Sequence, residues 1–199
     1  LAERFLGGLR AGVVPERVRA EASLGHEIRL LGEDRVEMLG MYIAWLSPAS
    51  FAPDDAEMDL VGDLLANGKT SRLYRTLVYD KRIALSAFAS GSITEDPNLF
   101  FAVAILQPGQ TPEAAEKALI AEFEKLKRDG VTTQEVQRAQ NQFARDYILS
   151  RESNEDKARH LSHAAVIHND ITTADGEFDI FMRTTPADVQ RVAQTYFNQ

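Results

Sequence analysis

The chain has 199 residues, of which 44% are hydrophobic and 26% are charged, a balance typical of a globular domain. It contains no cysteine, which excludes disulfides, thiolate nucleophiles and cysteine metal ligands. Its 22 Lys and Arg residues against 30 Asp and Glu residues give a net charge of −8, which disfavours non-specific nucleic-acid binding because phosphates repel an acidic surface. No apolar run approaches the roughly 20 residues that a membrane-spanning helix needs.

The first ten residues predict the end of an amphipathic helix, with Leu1, Phe5 and Leu9 on one face. A polar stretch rich in Arg and Glu follows and is typical of a linker. We therefore assign residues 1–24 to the last helix of a preceding domain plus a linker, and residues 25–199 to the domain proper. Because the chain begins without Met and with a helix already under way, we expect it to be a piece of a longer protein.

Two strands are predicted next, over residues 26–31 and 35–46, around a turn at residues 32–34. In the second strand, apolar residues such as Tyr42 and Trp45 fall on alternate faces. Because both faces carry apolar side chains, we expect this strand to be covered on both sides.

A helix with two aspartates in its first turn is predicted to run to a C-cap at Gly68. A shorter helix is predicted over residues 71–80. Residues 83–93 and 99–106 then predict an antiparallel hairpin, because a turn rich in Asp, Pro and Asn separates two apolar runs.

The last ninety residues predict helices. Their starts carry side-chain caps at Thr111, Thr132, Ser153 and Thr185, and a short helix is predicted over residues 174–182. Strands joined by hairpins, with helices grouped after them, predict an α+β fold with a largely antiparallel sheet.

The four histidines, His26, His160, His163 and His168, are the first candidates for a metal site. His160 and His163 share one face of a predicted helix. Neither His-x-x-Glu-His nor His-Glu-x-x-His occurs, so we interpret these residues as surface or interface histidines. The chain also lacks Gly-x-Ser-x-Gly and a complete phosphate-binding loop. The residues alone therefore predict no self-contained active site.

Residues 59–78 read Asp-Leu-Val-Gly-Asp-Leu-Leu-Ala-Asn-Gly-Lys-Thr-Ser-Arg-Leu-Tyr-Arg-Thr-Leu-Val. This stretch resembles the C-terminal, inactive domain of the insulinase-like (pitrilysin, M16) zinc metallopeptidases. In that family a helix ends in a Gly-rich turn, which is followed by Ser, then Ser or Thr, then Arg-Leu and a hydrophobic residue. The flanking strand, hairpin and capping segment at residues 130–135 match in order and spacing. The resemblance covers roughly residues 25–199 and is closest to the bacterial two-domain type.

The resemblance implies the LuxS/MPP-like metallohydrolase fold, an antiparallel sheet with helices packed on one side. It implies a domain without catalytic residues that completes a peptide-enclosing chamber. Zinc would be held by His-x-x-Glu-His in the parent's own N-terminal domain, so no cofactor or metal is expected in this chain and the chain alone should be inactive. Substrates would be unfolded peptides, and the parent would be periplasmic.

Partner domains of this family usually supply an Arg and a Tyr that hydrogen-bond to the substrate near the metal, where the carbonyl oxygen gains charge. On the family pattern Val78 takes the Arg position and Leu85 the Tyr position, and neither side chain can donate a hydrogen bond. The departure implies that a second homologous subunit supplies the pair. Tyr79 and Arg82 lie close by in sequence and are the candidates for binding substrate instead.

Two other interpretations stay open at this point. One is a structural or assembly subunit of the same fold that has lost peptidase activity, as in core proteins of respiratory complexes; an intact zinc motif upstream would favour the peptidase. The other is an unrelated small-molecule-binding α+β domain, which would show one compact apolar pocket instead of an open sheet face.

Overall fold

The computed structural model describes residues 2–10, 12, 13, 16, 18, 22–50, 52–92, 96, 98–168 and 170–198. Across this part of the chain the strands are β1 (Gly40–Ser47), β2 (Ala84–Gly91) and β3 (Asn98–Leu106). The α-helices are α1 (Ala2–Leu6), α2 (Asp55–Ala66), α3 (Pro112–Asp129), α4 (Thr133–Leu149), α5 (Asn154–His163), α6 (Gly176–Arg183) and α7 (Pro186–Tyr196). Two π-helices, Tyr74–Asp80 and Ala164–His168, and a 3-10 helix, Ile171–Asp175, complete the set.

The strands form an antiparallel sheet in the order β1-β3-β2. The predicted hairpin is confirmed, since β2 and β3 pair along their length with one irregularity near the start of β2. Strand β1 pairs with the other edge of β3, from Gly40 opposite Ile105 to Ser47 opposite Asn98. Helices and an antiparallel sheet together confirm the predicted α+β class.

The predicted strand over residues 26–31 is wrong, and the predicted strand over 35–46 begins only at Gly40. Residues 22–39 lie outside helices and strands, and the Leu30 and Leu31 side chains are 92% and 90% exposed. The physical reason is that β1 makes its ladder with the distant, apolar β3 rather than with its sequence neighbour. Contacts of this segment with the rest of the chain include the ion pair of Arg29 with Glu116 on α3 and the hydrogen bond from the Leu106 N–H to the Leu39 carbonyl.

The core lies between one face of the sheet and the helices. Its centre is an aromatic cluster in which Trp45 of β1 and Phe100 of β3 meet Phe123 of α3 and Phe197 at the end of α7. Ring centroids are 4.4 Å apart for Trp45 and Phe123 and 4.8 Å for Phe123 and Phe197. Such contacts stabilise the packing beyond simple burial of area.

The opposite face of the sheet is uncovered by the described residues, which corrects the prediction that both faces of the 35–46 strand are covered. The contacts of α2, α3 and α7 with the sheet are all made from the core side, and Tyr42 is 67% exposed. We call this surface the open sheet face; its apolar members are Tyr42, Leu46, Phe88, Leu99, Phe101, Val103 and Ile105.

The helix starts carry the predicted caps. Thr111 and Ser153 each accept a hydrogen bond from the backbone N–H three residues on. Thr132 and Thr185 form complete capping boxes with the acidic residue three positions later. These predictions are confirmed because a cap depends only on neighbouring residues.

Helix α1 is shorter than predicted and ends at Leu6, because the glycines at 7 and 8 favour other backbone conformations. Phe5 and Leu9 are exposed, and Leu1 lies outside the described residues. The division between residues 1–24 and 25–199 stays a prediction. Among the helices described, none combines the length and the apolar character needed to cross a bilayer.

Candidate functional site

The sequence-predicted site lies where the helix after α2 turns into β2. The predicted helix over residues 71–80 forms, but from Tyr74 to Asp80 it is a π-helix. Its end is closed by the N–H of Lys81, which donates to the Thr76 carbonyl at 3.0 Å, and by the N–H of Ile83, which donates to the Leu77 carbonyl at 2.8 Å. π-helical turns are rare and are often found at functional sites.

Tyr79 and Arg82 both project from this turn and are exposed, Tyr79 to 73%. Arg82 has a backbone φ of 51°, in the left-handed region that disfavours residues with a Cβ. Both candidates are therefore exposed and lie three residues apart, at the corner between the π-helix and β2.

Strain at Arg82 leads to a testable expectation for stability. Replacing Arg82 with Gly should raise the free energy of unfolding by about 0.5–1 kcal/mol, because Gly adopts positive φ without a steric penalty. Arg82→Ala, which keeps the Cβ, is the matched control and should give no such gain. Urea unfolding of the three proteins measures the difference, and equal stability of the Gly and Ala variants would contradict the strain.

Val78 and Leu85, the two positions that the resemblance assigns to the family's Arg and Tyr, come before and after this corner in the sequence, and that assignment stays a prediction. Val78 is half-buried against the core. Leu85 lies at a β-bulge, because Ala84 faces Leu106 and Ser86 faces Ile105, and it is 46% exposed. Bulges re-aim side chains, so Leu85 occupies a position from which a longer polar side chain would reach outward.

Arg72, next to the site in sequence, has a structural role. Its Nε donates to Oε1 of Glu135 at 2.9 Å, and its Nη2 donates to Oε2 of Glu135 at 3.1 Å and to the Gly130 carbonyl at 2.9 Å. This two-point ion pair ties the start of the π-helix segment to the start of α4. Burial raises the pKa of Glu135, but hydrogen bonds from Arg72 and Thr132 outweigh it and lower the pKa to about 2.

The lowered pKa of Glu135 predicts a loss of stability in acid. An unfolded Glu titrates near 4.5, so between about pH 4.5 and pH 2 the unfolded chain binds a proton that the folded chain does not. This carboxylate's contribution is present above pH 4.5 and is lost as the pH falls to 2. We expect the loss to be about 1–2 kcal/mol, since water reaches part of the pair. Unfolding of wild type and Glu135→Gln across this range tests it; a Gln variant with the same slope would contradict the assignment.

A groove of about 540 Å³ opens beside this ion pair, between the π-helix segment, α3 and α4. Its lining is charged and balanced: Arg75, Arg138 and two further basic residues line it together with Asp80, Asp129 and two further acidic residues. This charged groove differs from the compact apolar pocket that the small-molecule-binding interpretation predicts.

The helical histidines lie away from this corner, on α5. The His160 ring nitrogens are 2.7 and 3.0 Å from Nη2 of Arg151, and Nε2 lies 3.7 Å from Oδ1 of Asp175. The Tyr147 hydroxyl donates to the same Asp175 oxygen at 2.5 Å, and the Arg151 guanidinium lies over the Tyr147 ring. His160 is thus part of a polar cluster joining α4, α5 and the 3-10 helix. Within the described ranges, no group of three or more His, Asp or Glu residues is placed to hold a metal ion.

The open sheet face agrees with the family resemblance, which implies helices on one side of the sheet only, but it was not apparent from the periodicity of the residues. The alternation of Tyr42, Ala44 and Leu46 shows that β1 has a second apolar face, but periodicity cannot say whether anything covers it. Large exposed apolar patches of proteins commonly serve as interaction surfaces.

Comparison with known proteins agrees with this architecture. The family model described as the peptidase M16 inactive domain matches residues 1–143. The chain is 31% identical over 163 residues to the zinc protease PqqE of Helicobacter pylori, across 79% of this chain and 36% of that protein. The solved structure of a protease from Helicobacter pylori superposes with a TM-score of 0.77 at 30% identity, over 83% of this chain and 40% of that one.

A solved inactive peptidase domain from Bordetella parapertussis superposes with a TM-score of 0.72 at 27% identity, over 83% of this chain and 90% of that one. The chain therefore spans well under half the length of the Helicobacter pylori proteins but nearly all of this single domain. With a family model matched over most of its length, the chain belongs to the M16 peptidase family as an inactive domain.

Proposed function

We propose that this chain is the non-catalytic C-terminal half of a zinc-dependent endopeptidase and that it completes the chamber enclosing the peptide. The observation that carries the proposal is the match to M16 inactive domains, together with a relative named as a zinc protease of which the chain spans 36%. In the proposal, zinc is bound in the parent's N-terminal domain, where it polarises the scissile carbonyl and activates water.

In this proposal the chain contributes surface rather than chemistry. The open sheet face forms a wall of the chamber, and Tyr79 and Arg82 contact the peptide from the corner at the start of β2. Both side chains are exposed and can donate hydrogen bonds, which supports this role.

The Val78 and Leu85 side chains carry no hydrogen-bond donor. Donors to the scissile carbonyl oxygen, which gains charge in the reaction, would therefore come from another chain. We therefore propose that a second homologous subunit supplies the Arg and Tyr pair. In this arrangement one subunit, to which this chain would belong, binds the zinc, and the second subunit stabilises the transition state.

The location of the zinc gives the experiment that tests the proposal. The full-length parent should contain one zinc per polypeptide, and the His160→Ala, His163→Ala double variant should keep it. The 199-residue chain alone should bind no zinc and cleave no unfolded peptide. Stoichiometric zinc on the isolated chain, lost in the double variant, would contradict the proposal.

Two further points belong to the same proposal. A parent gene without His-x-x-Glu-His, and a purified parent without peptidase activity, would instead favour the assembly subunit.

The periplasmic location of the parent is proposed from the family resemblance. Cell fractionation with an antibody against the parent tests it, and recovery in the cytoplasmic fraction would contradict it.

A further inference from the structure

The segment that forms one wall of the charged groove is basic in an otherwise acidic chain. Residues 69–82 contain five Lys and Arg residues against one Asp, a net charge of +4. Of the chain's 22 basic and 30 acidic residues this leaves 17 basic and 29 acidic elsewhere, a net charge of −12. Because the charges are segregated in this way, the groove wall attracts anionic groups, whereas the rest of the chain repels long polyanions.

Two guanidinium groups from different helices line the same groove. The π-helix contributes Arg75, Thr76 and Asp80, and α4 contributes Arg138. Arg75 and Asp80 are five residues apart and lie one π-helical turn from each other, since hydrogen bonds in such a helix join residues five apart. The groove's volume of about 540 Å³ is enough for a small ligand or a few residues of a peptide.

Most of the acidic side chains in the groove are already paired with bases. The pairs are Arg72–Glu135, Lys125–Glu122 and Arg128–Asp129, at 2.9, 2.6 and 2.7 Å. The remaining acid of the lining, Asp80, forms no hydrogen bond or ion pair with its side chain within the described part of the chain.

The Arg75 and Arg138 side chains, by contrast, have no partner among the residues that the structure describes. Both are exposed, and neither forms a hydrogen bond or an ion pair there. A guanidinium presents five N–H donors in a planar fork that binds a carboxylate through two parallel hydrogen bonds. Two unpaired guanidinium groups against the single unpaired carboxylate of Asp80 leave the groove with an excess of positive charge.

We propose that this groove binds a short acidic stretch of a peptide, with Arg75 and Arg138 each holding one carboxylate. The inference goes beyond the proposed function, because such binding requires neither zinc nor cleavage. A peptide fits the groove better than a phosphate ester or a nucleic acid does. Its backbone N–H groups can donate to Asp80 while its side-chain carboxylates accept from the arginines, whereas a phosphate presents only acceptors. The net charge of −12 elsewhere in the chain also disfavours nucleic acid.

The first experiment measures the affinity of two fluorescent peptides for the 199-residue chain, which contains every residue of the groove. One peptide carries Glu at alternate positions, and the matched peptide carries Gln at the same positions. We expect the Glu peptide to bind about tenfold more tightly at low salt, the scale of two partly exposed ion pairs. The preference should shrink as salt rises to about 0.5 M, because exposed charges are then screened. Equal affinities at low salt would overturn the proposal.

The second experiment assigns the preference to the two arginines. Arg75→Gln and Arg138→Gln should each reduce it by about threefold, the scale of one exposed ion pair. Thermal unfolding should be unchanged in both variants, since neither side chain has a partner within the described ranges. Lys157→Gln is the control, because it removes one positive charge at an exposed position of α5 outside the groove. An equal loss of preference in Lys157→Gln would attribute binding to net charge and overturn the proposal.

Two further outcomes would overturn the proposal by naming a different occupant. A short DNA duplex that binds as tightly as the Glu peptide, and loses affinity in the same variants, would make the groove a general polyanion site. A concentration-dependent dimer that Arg75→Gln dissociates would show that an acidic stretch of a second copy occupies it. Binding of the Glu peptide that depends on both arginines supports the inference whether or not the parent cleaves peptides, so the inference and the proposed function fail separately.

Discussion

Replacing Phe100 with Ala is expected to lower the free energy of unfolding by about 3–5 kcal/mol, the largest stability effect foreseen for this domain. The ring is fully buried on the core face of β3, 5.1 Å from the Phe197 ring, and truncation leaves a cavity among α3, α7 and the sheet. Urea unfolding of the 199-residue chain measures the change.

The matched control lies on the other side of the same sheet. Phe88→Ala should cost less than about 1 kcal/mol, because the Phe88 ring is half-exposed and its loss opens no cavity. Similar costs for Phe100→Ala and Phe88→Ala would contradict a sheet covered on one side only.

Restoring the family's donor pair is expected to have the largest effect on activity. In the full-length parent assayed alone, Val78→Arg combined with Leu85→Tyr should raise kcat/KM for an unfolded peptide by about 10- to 100-fold. One well-placed donor at the charged oxygen contributes roughly 10²–10³ in rate, and an unoptimised position recovers part of it. The rise should appear in kcat, since the interaction strengthens in the transition state.

The control for this prediction is Val78→Leu with Leu85→Phe, which changes size without adding a donor. Thermal unfolding of both double variants checks that the half-buried position at Val78 tolerates the change. Equal activity of the Arg/Tyr double variant and the Leu/Phe double variant would show that side chains at these two positions do not contact the reacting carbonyl.

The sequence predicted well those parts of the fold that depend on interactions between residues close to each other in the chain. The capping box at Thr132 involves residues three apart, and strands β2 and β3 are separated by only six residues in the sequence. The strand predicted over residues 26–31 failed because strand pairing is decided across the chain: β1 pairs with β3, some sixty residues away, where apolar side chains complete the core face.

The candidate site likewise combines features that the sequence predicts with features that only the folded structure reveals. The family pattern predicts that Val78 and Leu85 replace the Arg and the Tyr, and the structure shows Val78 half-buried in the π-helix and Leu85 at the bulge of β2. The positive φ of Arg82 could not be predicted from its neighbours in the sequence, because Arg is not a residue that favours this conformation. The two apolar faces of β1 were visible in the sequence, but whether helices cover one or both depends on where those helices dock, which alternation alone does not determine.

The most direct test of the central claim is the peptidase activity of the full-length parent with and without the homologous subunit that carries the Arg and Tyr pair. A non-catalytic domain with Val78 and Leu85 at the donor positions predicts that kcat/KM rises at least 100-fold when that subunit is added. Full activity of the parent alone, unchanged by the second subunit, would contradict it.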